Sequence, residues 1–141
     1  MASRDPKVDL IASVSMFKGL GRKELEHIAQ LVDDVDIPAG KVLMRQGESG
    51  AEMFIVAAGT VRIERDGKFI RDAGPGTSIG EMALLSEGPR TATVTATVPT
   101  RILLAGHREF HQLMEQHPKI RLAILEGLTA KIRTLDENGA H

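Results

Sequence analysis

Apolar residues follow helical spacing at both ends of the chain and strand spacing between them. Residues 7–16 set Val8, Ile11 and Val14 three apart, and residues 22–32 put Leu25, Ile28, Ala29 and Val32 on one helical face. Both stretches predict short amphipathic helices, parted by a turn at Gly19–Gly21. From Asp36 the pattern changes. Pro38-Ala39-Gly40 predicts a turn, Val42 to Met44 a short strand, Gly47 to Gly50 a loop, and Met53 to Ala57 a strand broken at Gly59. Val61, Ile63 and Arg65 then alternate with Arg62 and Glu64, and Asp66-Gly67 is a two-residue hairpin signal before Phe69 and Ile70. Gly74-Pro75-Gly76 interrupts again, after which Thr91 to Val98 and Arg101 to Ala105 read as strands. Many short strands joined by Gly-rich turns predict a small antiparallel roll or barrel. Helical spacing returns in residues 107–117, where Phe110, Leu113 and Met114 share a face. Pro118 suits the first turn of a last helix running to about Asp136, because its missing N–H would have no partner there anyway.

Composition narrows the class. A chain of 141 residues fits one domain, and 42% hydrophobic residues suffice for a real core. A net charge of −1 supplies no basic field for nucleic acid or an anionic membrane. The four Phe are the whole aromatic complement and are scattered, so base stacking by aromatics interleaved with cations has no support. The absence of cysteine excludes disulfides and thiolate metal sites. Leu10 to Phe17 is too short, too broken by serine and too poorly flanked for a signal peptide, and no run reaches the length of a membrane span. The expectation is a soluble cytoplasmic domain with no membrane segment and no direct nucleic-acid partner.

The segment with chemistry to offer is Gly80-Glu81-Met82-Ala83-Leu84-Leu85-Ser86-Glu87-Gly88-Pro89-Arg90-Thr91-Ala92-Thr93-Val94. It lies between strand regions where a tight turn would suffice, and it reads as one short helical turn with an extended return. Gly80 permits close approach of backbone to a ligand. The first N–H groups of the turn lack internal partners and face an incoming anion. Arg90 adds a planar fork of donors suited to phosphate oxygens. Glu81, beside these donors, is wrong for phosphate but right for accepting a hydrogen bond from a sugar hydroxyl. One carboxylate and one guanidinium therefore suit a ribose phosphate better than a bare anion. Each residue alone has a plainer role: a glutamate in a first helical turn complements the helix dipole, and the arginine could lie on the surface or pair with Glu81.

Gly80-Glu81-Met82-Ala83-Leu84-Leu85, followed by Pro89-Arg90-Thr91-Ala92-Thr93-Val94, resembles the phosphate-binding cassette of the cyclic-nucleotide-binding domain family. That family includes catabolite activator proteins, regulatory subunits of cyclic-nucleotide-dependent kinases and cyclic-nucleotide-gated channels. The resemblance runs from about residue 8 to 135 and takes in the Pro38-Ala39-Gly40 turn, the Gly47 loop, Gly59, Gly76 and the closing helices. It implies a mainly β fold with flanking helices. The parts would be two N-terminal helices (about 7–32), a jelly-roll-like antiparallel β-roll (about 33–106) with a short cassette helix within 80–92, and two C-terminal helices (about 107–136). The whole would form one sensor domain over residues 1–141. The resemblance further implies that Glu81 takes the ribose 2′-hydroxyl and Arg90 the cyclic phosphate. Gly80, Met82 and Ala83 would line the pocket, with Thr91 and Ala92 flanking phosphate and base. The ligand would be cAMP or cGMP, with no metal. A hydroxyl directly after the arginine resembles cGMP-preferring members, but bacterial members of this type mostly use cAMP, which is the favoured ligand here.

Leu125, Leu128, Ile132 and Leu135 follow 3, 4, 3 spacing, a seam of about two heptads. It either packs on the roll or, as the resemblance implies, belongs to a helix that closes over the base and in some members forms a homodimer seam; Lys131 or Arg133 could cap the purine. An effector domain in a longer parent chain is expected as partner.

Rival classes fare worse. A cupin-type enzyme needs His and Glu ligands on strands, whereas His27, His107, His111, His117 and His141 fall in helical or terminal segments. His107-Arg108-Glu109-Phe110-His111 lacks the glutamate that a zinc-protease motif needs directly after its first histidine. An interaction module of the same fold that has lost its ligand remains the alternative.

Overall fold

The computed structural model describes residues 5–81 and 88–137, with side chains described as far as Thr129. Two compact units divide it, one spanning Leu31–Phe110 and the other made of the residues before and after.

The helical unit begins with α1 (Pro6–Ser13). Asp5 caps it by accepting from Lys7 N–H, and Pro6 occupies the first helical position. The sequence predicts one helix over 7–16, but Val14 turns extended and the chain continues as a 3-10 turn, Ser15–Phe17, which buries Met16 and Phe17. Next comes α2 (Arg22–Leu31), whose buried Leu25, Ile28 and Ala29 form the predicted stripe. At its start the Gly21 N–H donates to Glu24 Oε1 at 3.1 Å, and Lys119 Nζ stands 3.7 Å from the same oxygen. The Gly21 hydrogen bond is the main force holding the Glu24 carboxyl below its ordinary pKa, with Lys119 adding to it. The unit ends with the C-terminal part of α3 (His107–Gln116) and with α4 (Pro118–Glu137). On α4 the buried stripe is Ile120, Ile124 and Leu128 at spacing four, while Leu125 is 41% exposed. The expected Leu125–Leu128 seam is thus split, one residue inward and one outward, and the side chains of Ile132, Leu135, Lys131 and Arg133 lie outside the described residues. Gly127 sits against Met16: a Cβ there would fall 2.7 Å from Met16 Cα.

The β unit holds two four-stranded antiparallel sheets and one two-stranded ladder. Their strands are β1 (Asp33–Ile37), β2 (Val42–Met44), β3 (Ser49–Gly50), β4 (Glu52–Ala58), β5 (Val61–Arg65), β6 (Lys68–Ala73), β7 (Ser78–Ile79), β8 (Gly88–Pro89), β9 (Thr93–Ala96) and β10 (Thr100–Gly106). The sheet orders are β1-β10-β4-β7 and β2-β9-β5-β6, and β3 pairs with β8. Ile37, Phe54, Val56, Val61, Val94 and Ile102, from both large sheets, form one buried cluster. The mainly β roll with flanking helices expected from the sequence is therefore the fold observed.

Three departures matter. Strand β1 was not expected as a separate strand, since the strand pattern is legible only from Asp36. It forms because it is an edge strand whose acids face outward, and Arg101 on β10 clasps Asp34 through two bonds of 2.6 Å. The loop expected at Gly47–Gly50 contains β3, and the return of the cassette contains β8. The Asp66-Gly67 hairpin is as expected: both residues take positive φ, 54° and 75°, as a type I′ turn requires.

Two outcomes follow from the helical unit. In an open helix Gly→Ala stabilises by about 1 kcal/mol. At Gly127 the methyl meets the Met16 backbone, so Gly127→Ala should lower the melting temperature instead of raising it. A carboxyl whose folded pKa is depressed stabilises above its unfolded value near 4.5 and loses that contribution as pH falls through the folded value. The gap in melting temperature between the parent and Glu24→Gln should therefore be widest above about pH 5 and close in stronger acid.

Candidate functional site

Two glycines and one arginine define the site, all within the β unit. Strand β7 pairs with the middle of β4, Phe54 opposite Ile79 and Ile55 opposite Ser78. Directly after β7, Gly80 takes φ +78°, a conformation that disfavours any side chain. It turns the chain so that Glu81, the next residue, is only 5% exposed. A carboxylate this buried is costly to hold without polar partners, which marks it as more than a dipole-complementing surface acid.

The far end of the cassette returns to the same place. Gly88 and Pro89 form β8 against β3, Gly50 opposite Gly88 and Ser49 opposite Pro89. The pairing continues one residue past the strand: Arg90 N–H donates to the Glu48 carbonyl and Gly47 N–H donates to the Arg90 carbonyl, both at 2.8 Å. With its backbone N–H and carbonyl both fixed along that one edge, Arg90 turns its side chain inward. A Cβ built on Gly50 would lie within the guanidinium itself, and one built on Gly80 would lie 2.7 Å from Arg90 Nη1. The guanidinium thus fills a slot that exists because both flanking residues lack side chains. Its Cζ stands 5.8 Å from the Phe54 ring centroid.

Burial pulls the Arg90 pKa below the ordinary arginine value, and the negative charge of Glu52 offsets part of this. An arginine keeps its proton throughout the physiological range regardless. Among the described residues no carboxylate closes an ion pair with it within 4.0 Å. The result is a half-buried cation beside the backbone of Gly80, with a buried carboxylate starting at the next residue. That combination can attract a monoanion and accept a hydroxyl hydrogen bond at adjacent points.

The structure brings Gly80 and Arg90 together, and Glu81 is the residue after Gly80, with its side chain buried. Met82 and Ala83, and with them the expected cassette helix, lie outside the described residues. Ala92 is buried and Thr91 is exposed. Sequence reasoning missed Gly50, Glu52 and Phe54. For Gly50 a signal was present: the Gly47 loop already has its turn glycine with positive φ, so a second glycine three residues on, without that conformation, points to a lack of space. Among the described residues no cluster of three His, Asp or Glu side chains is arranged to hold a metal ion, and no helix is long and apolar enough to cross a membrane.

Comparison with known proteins identifies a family. The family model described as the cyclic nucleotide-binding domain matches residues 34–117. A cyclic nucleotide-gated potassium channel of Mesorhizobium japonicum is 37% identical over 79% of this chain and 31% of its own length. A cAMP-dependent protein kinase regulatory subunit of Yarrowia lipolytica is 27% identical over 89% of this chain and 34% of its own. The chain thus spans about a third of these relatives. Among solved structures, the N-terminal domain of a transcriptional regulator from Streptomyces coelicolor superposes with a TM-score of 0.82 at 26% identity, covering 92% of this chain and 94% of that one. A family match that spans both large sheets and includes Gly50, Gly80, Glu81 and Arg90 leaves one assignment: this chain belongs to the cyclic nucleotide-binding domain family.

Proposed function

We propose that the chain is one non-catalytic sensor domain for a cyclic purine nucleotide, cAMP in preference to cGMP. Its task is to report ligand occupancy to an effector in the cytoplasm. The observation that carries this reading is the Arg90 guanidinium seated between Gly50 and Gly80, with the buried Glu81 following Gly80 in the chain.

Each role follows from charge and hydrogen-bonding capacity. A cyclic phosphodiester carries a single negative charge, which one guanidinium and a few backbone N–H groups satisfy without a metal. Arg90 takes the phosphate. Glu81 accepts from the ribose 2′-hydroxyl. Gly80, Met82 and Ala83 bring backbone against the sugar phosphate, and Thr91 and Ala92 flank phosphate and base. The partial burial that lowers the Arg90 pKa from its ordinary value fits this work, since a partly desolvated cation gains more from an arriving anion than a hydrated one does. The preference for cAMP rests on likeness to the Yarrowia lipolytica regulatory subunit, whose name specifies cAMP dependence. The readout is α4: ligand binds one arrangement of this helix better than another and shifts the population toward it. The effector is the part that longer relatives, such as the Mesorhizobium japonicum channel, carry beyond the matched segment.

Calorimetric titration of the purified chain with cAMP, cGMP and 2′-deoxy-cAMP tests the reading. Saturable binding is expected, tightest for cAMP, with the deoxy analogue weaker by about tenfold because it lacks the hydroxyl that Glu81 would accept from. Arg90→Ala should cost about 3 kcal/mol, on the order of a hundredfold in Kd. Hydrogen exchange in α4 should slow on addition of cAMP. No heat at high micromolar ligand, or equal affinity in parent and Arg90→Ala, would contradict the assignment and favour a ligand-free interaction module.

A further inference from the structure

We propose that Arg65 is a positioning residue for the nucleotide site, locking the Arg90–Thr91 segment from outside the pocket. The inference deepens the binding reading above and rests on it for the ligand. The ladder between β5 and β9 ends at Glu64 opposite Thr93. Thr91 and Ala92, the two residues between Arg90 and β9, therefore have no strand partner on that side. In place of a further ladder bond, the Arg65 side chain reaches across and its Nε donates to the Thr91 carbonyl at 3.0 Å.

The neighbouring contacts fix Arg65 in turn. The next residue, Asp66, is the lone described non-glycine residue with positive φ, and it is clasped reciprocally by Gln46. Gln46 Nε2 donates to Asp66 Oδ1, and Asp66 N–H donates to Gln46 Oε1, both at 2.8 Å. Gln46 N–H donates to Thr93 Oγ1 at 3.0 Å, which ties the same residue to the start of β9. Residues 90–93 are thus gripped at Arg90 by Gly47 and Glu48, at Thr91 by Arg65 and at Thr93 by Gln46. A guanidinium in a slot between two glycines needs its Cα placed to a fraction of an ångström. Gly47 and Glu48 fix Arg90 from one side, and Arg65 stops the following peptide from swinging out. The donor is exposed and is not a member of the buried cluster of the two large sheets, so its loss should loosen the site without unfolding the protein.

The test uses the full chain as parent, Arg65→Ala, Arg65→Lys and Gln46→Ala. Amide hydrogen exchange is read without ligand, and cAMP affinity by calorimetry. In Arg65→Ala, exchange at the Arg90 and Gly47 amides should speed by about tenfold, with Val56 and Ile102 unchanged and the melting temperature held. The cAMP Kd should rise by about tenfold. Arg65→Lys, which keeps a charged donor, should recover to within about threefold of the parent. Gln46→Ala should show the same site-confined acceleration. Unchanged exchange at Arg90 in Arg65→Ala overturns the proposal, and so does acceleration spread evenly through the core with a falling melting temperature. If the parent binds no cAMP, the binding reading fails, while the exchange result still decides whether Arg65 positions this segment.

Discussion

The rest of the site depends on one steric fact: a guanidinium occupies the space that two missing side chains leave open. Gly50 and Gly80 come from different strands' ends, and Arg90 comes from the far end of the cassette. Their convergence requires the β3–β8 ladder to hold one side and the β4–β7 pairing to hold the other. Once the cation is there, its partial desolvation strengthens its attraction for an anion, and Glu81, the residue after Gly80, has its side chain buried. A larger residue at either glycine would displace the charge, however sound the remaining fold.

Much of this was legible in the sequence, and the parts that were not have physical reasons. The period-two run Val61–Arg65, the Asp66-Gly67 turn and the helical stripe of α2 were written in local pattern, and they appear where that pattern put them. Strand β1 was not, because three acids in five residues argue against a strand until a partner such as Arg101 is known. Strands β3, β7 and β8 have two residues each, too few for any periodicity to show. In α4 the pattern misled: 3, 4, 3 spacing selected Leu125 with Leu128, whereas the buried face runs Ile120, Ile124, Leu128 at 4, 4.

The site divides in the same way. Gly80, Glu81 and Arg90 were singled out by residue type and spacing, because those groups suit phosphate and hydroxyl recognition. Gly50, Glu52 and Phe54 act on Arg90 from about forty residues away in sequence, through contacts that only the folded sheet creates. Arg65 and Gln46 are further cases: nothing in a surface arginine or glutamine announces that its partner is a carbonyl or hydroxyl beyond the end of a ladder. Membership of the cyclic nucleotide-binding domain family then supplies the ligand class that fits this chemistry, and the glycine slot explains why the chemistry is possible in this chain.

The most direct check on the account is the cAMP affinity of Gly50→Ala, a single added methyl at a residue that no proposed ligand contact uses. The methyl would claim the space of the Arg90 guanidinium, whose flexible side chain can swing away without unfolding the sheet. The account predicts a folded protein with a parent-like melting temperature whose cAMP Kd rises on the order of a hundredfold. A Gly50→Ala protein that binds cAMP as tightly as the parent would show that the seated guanidinium is not what holds the nucleotide.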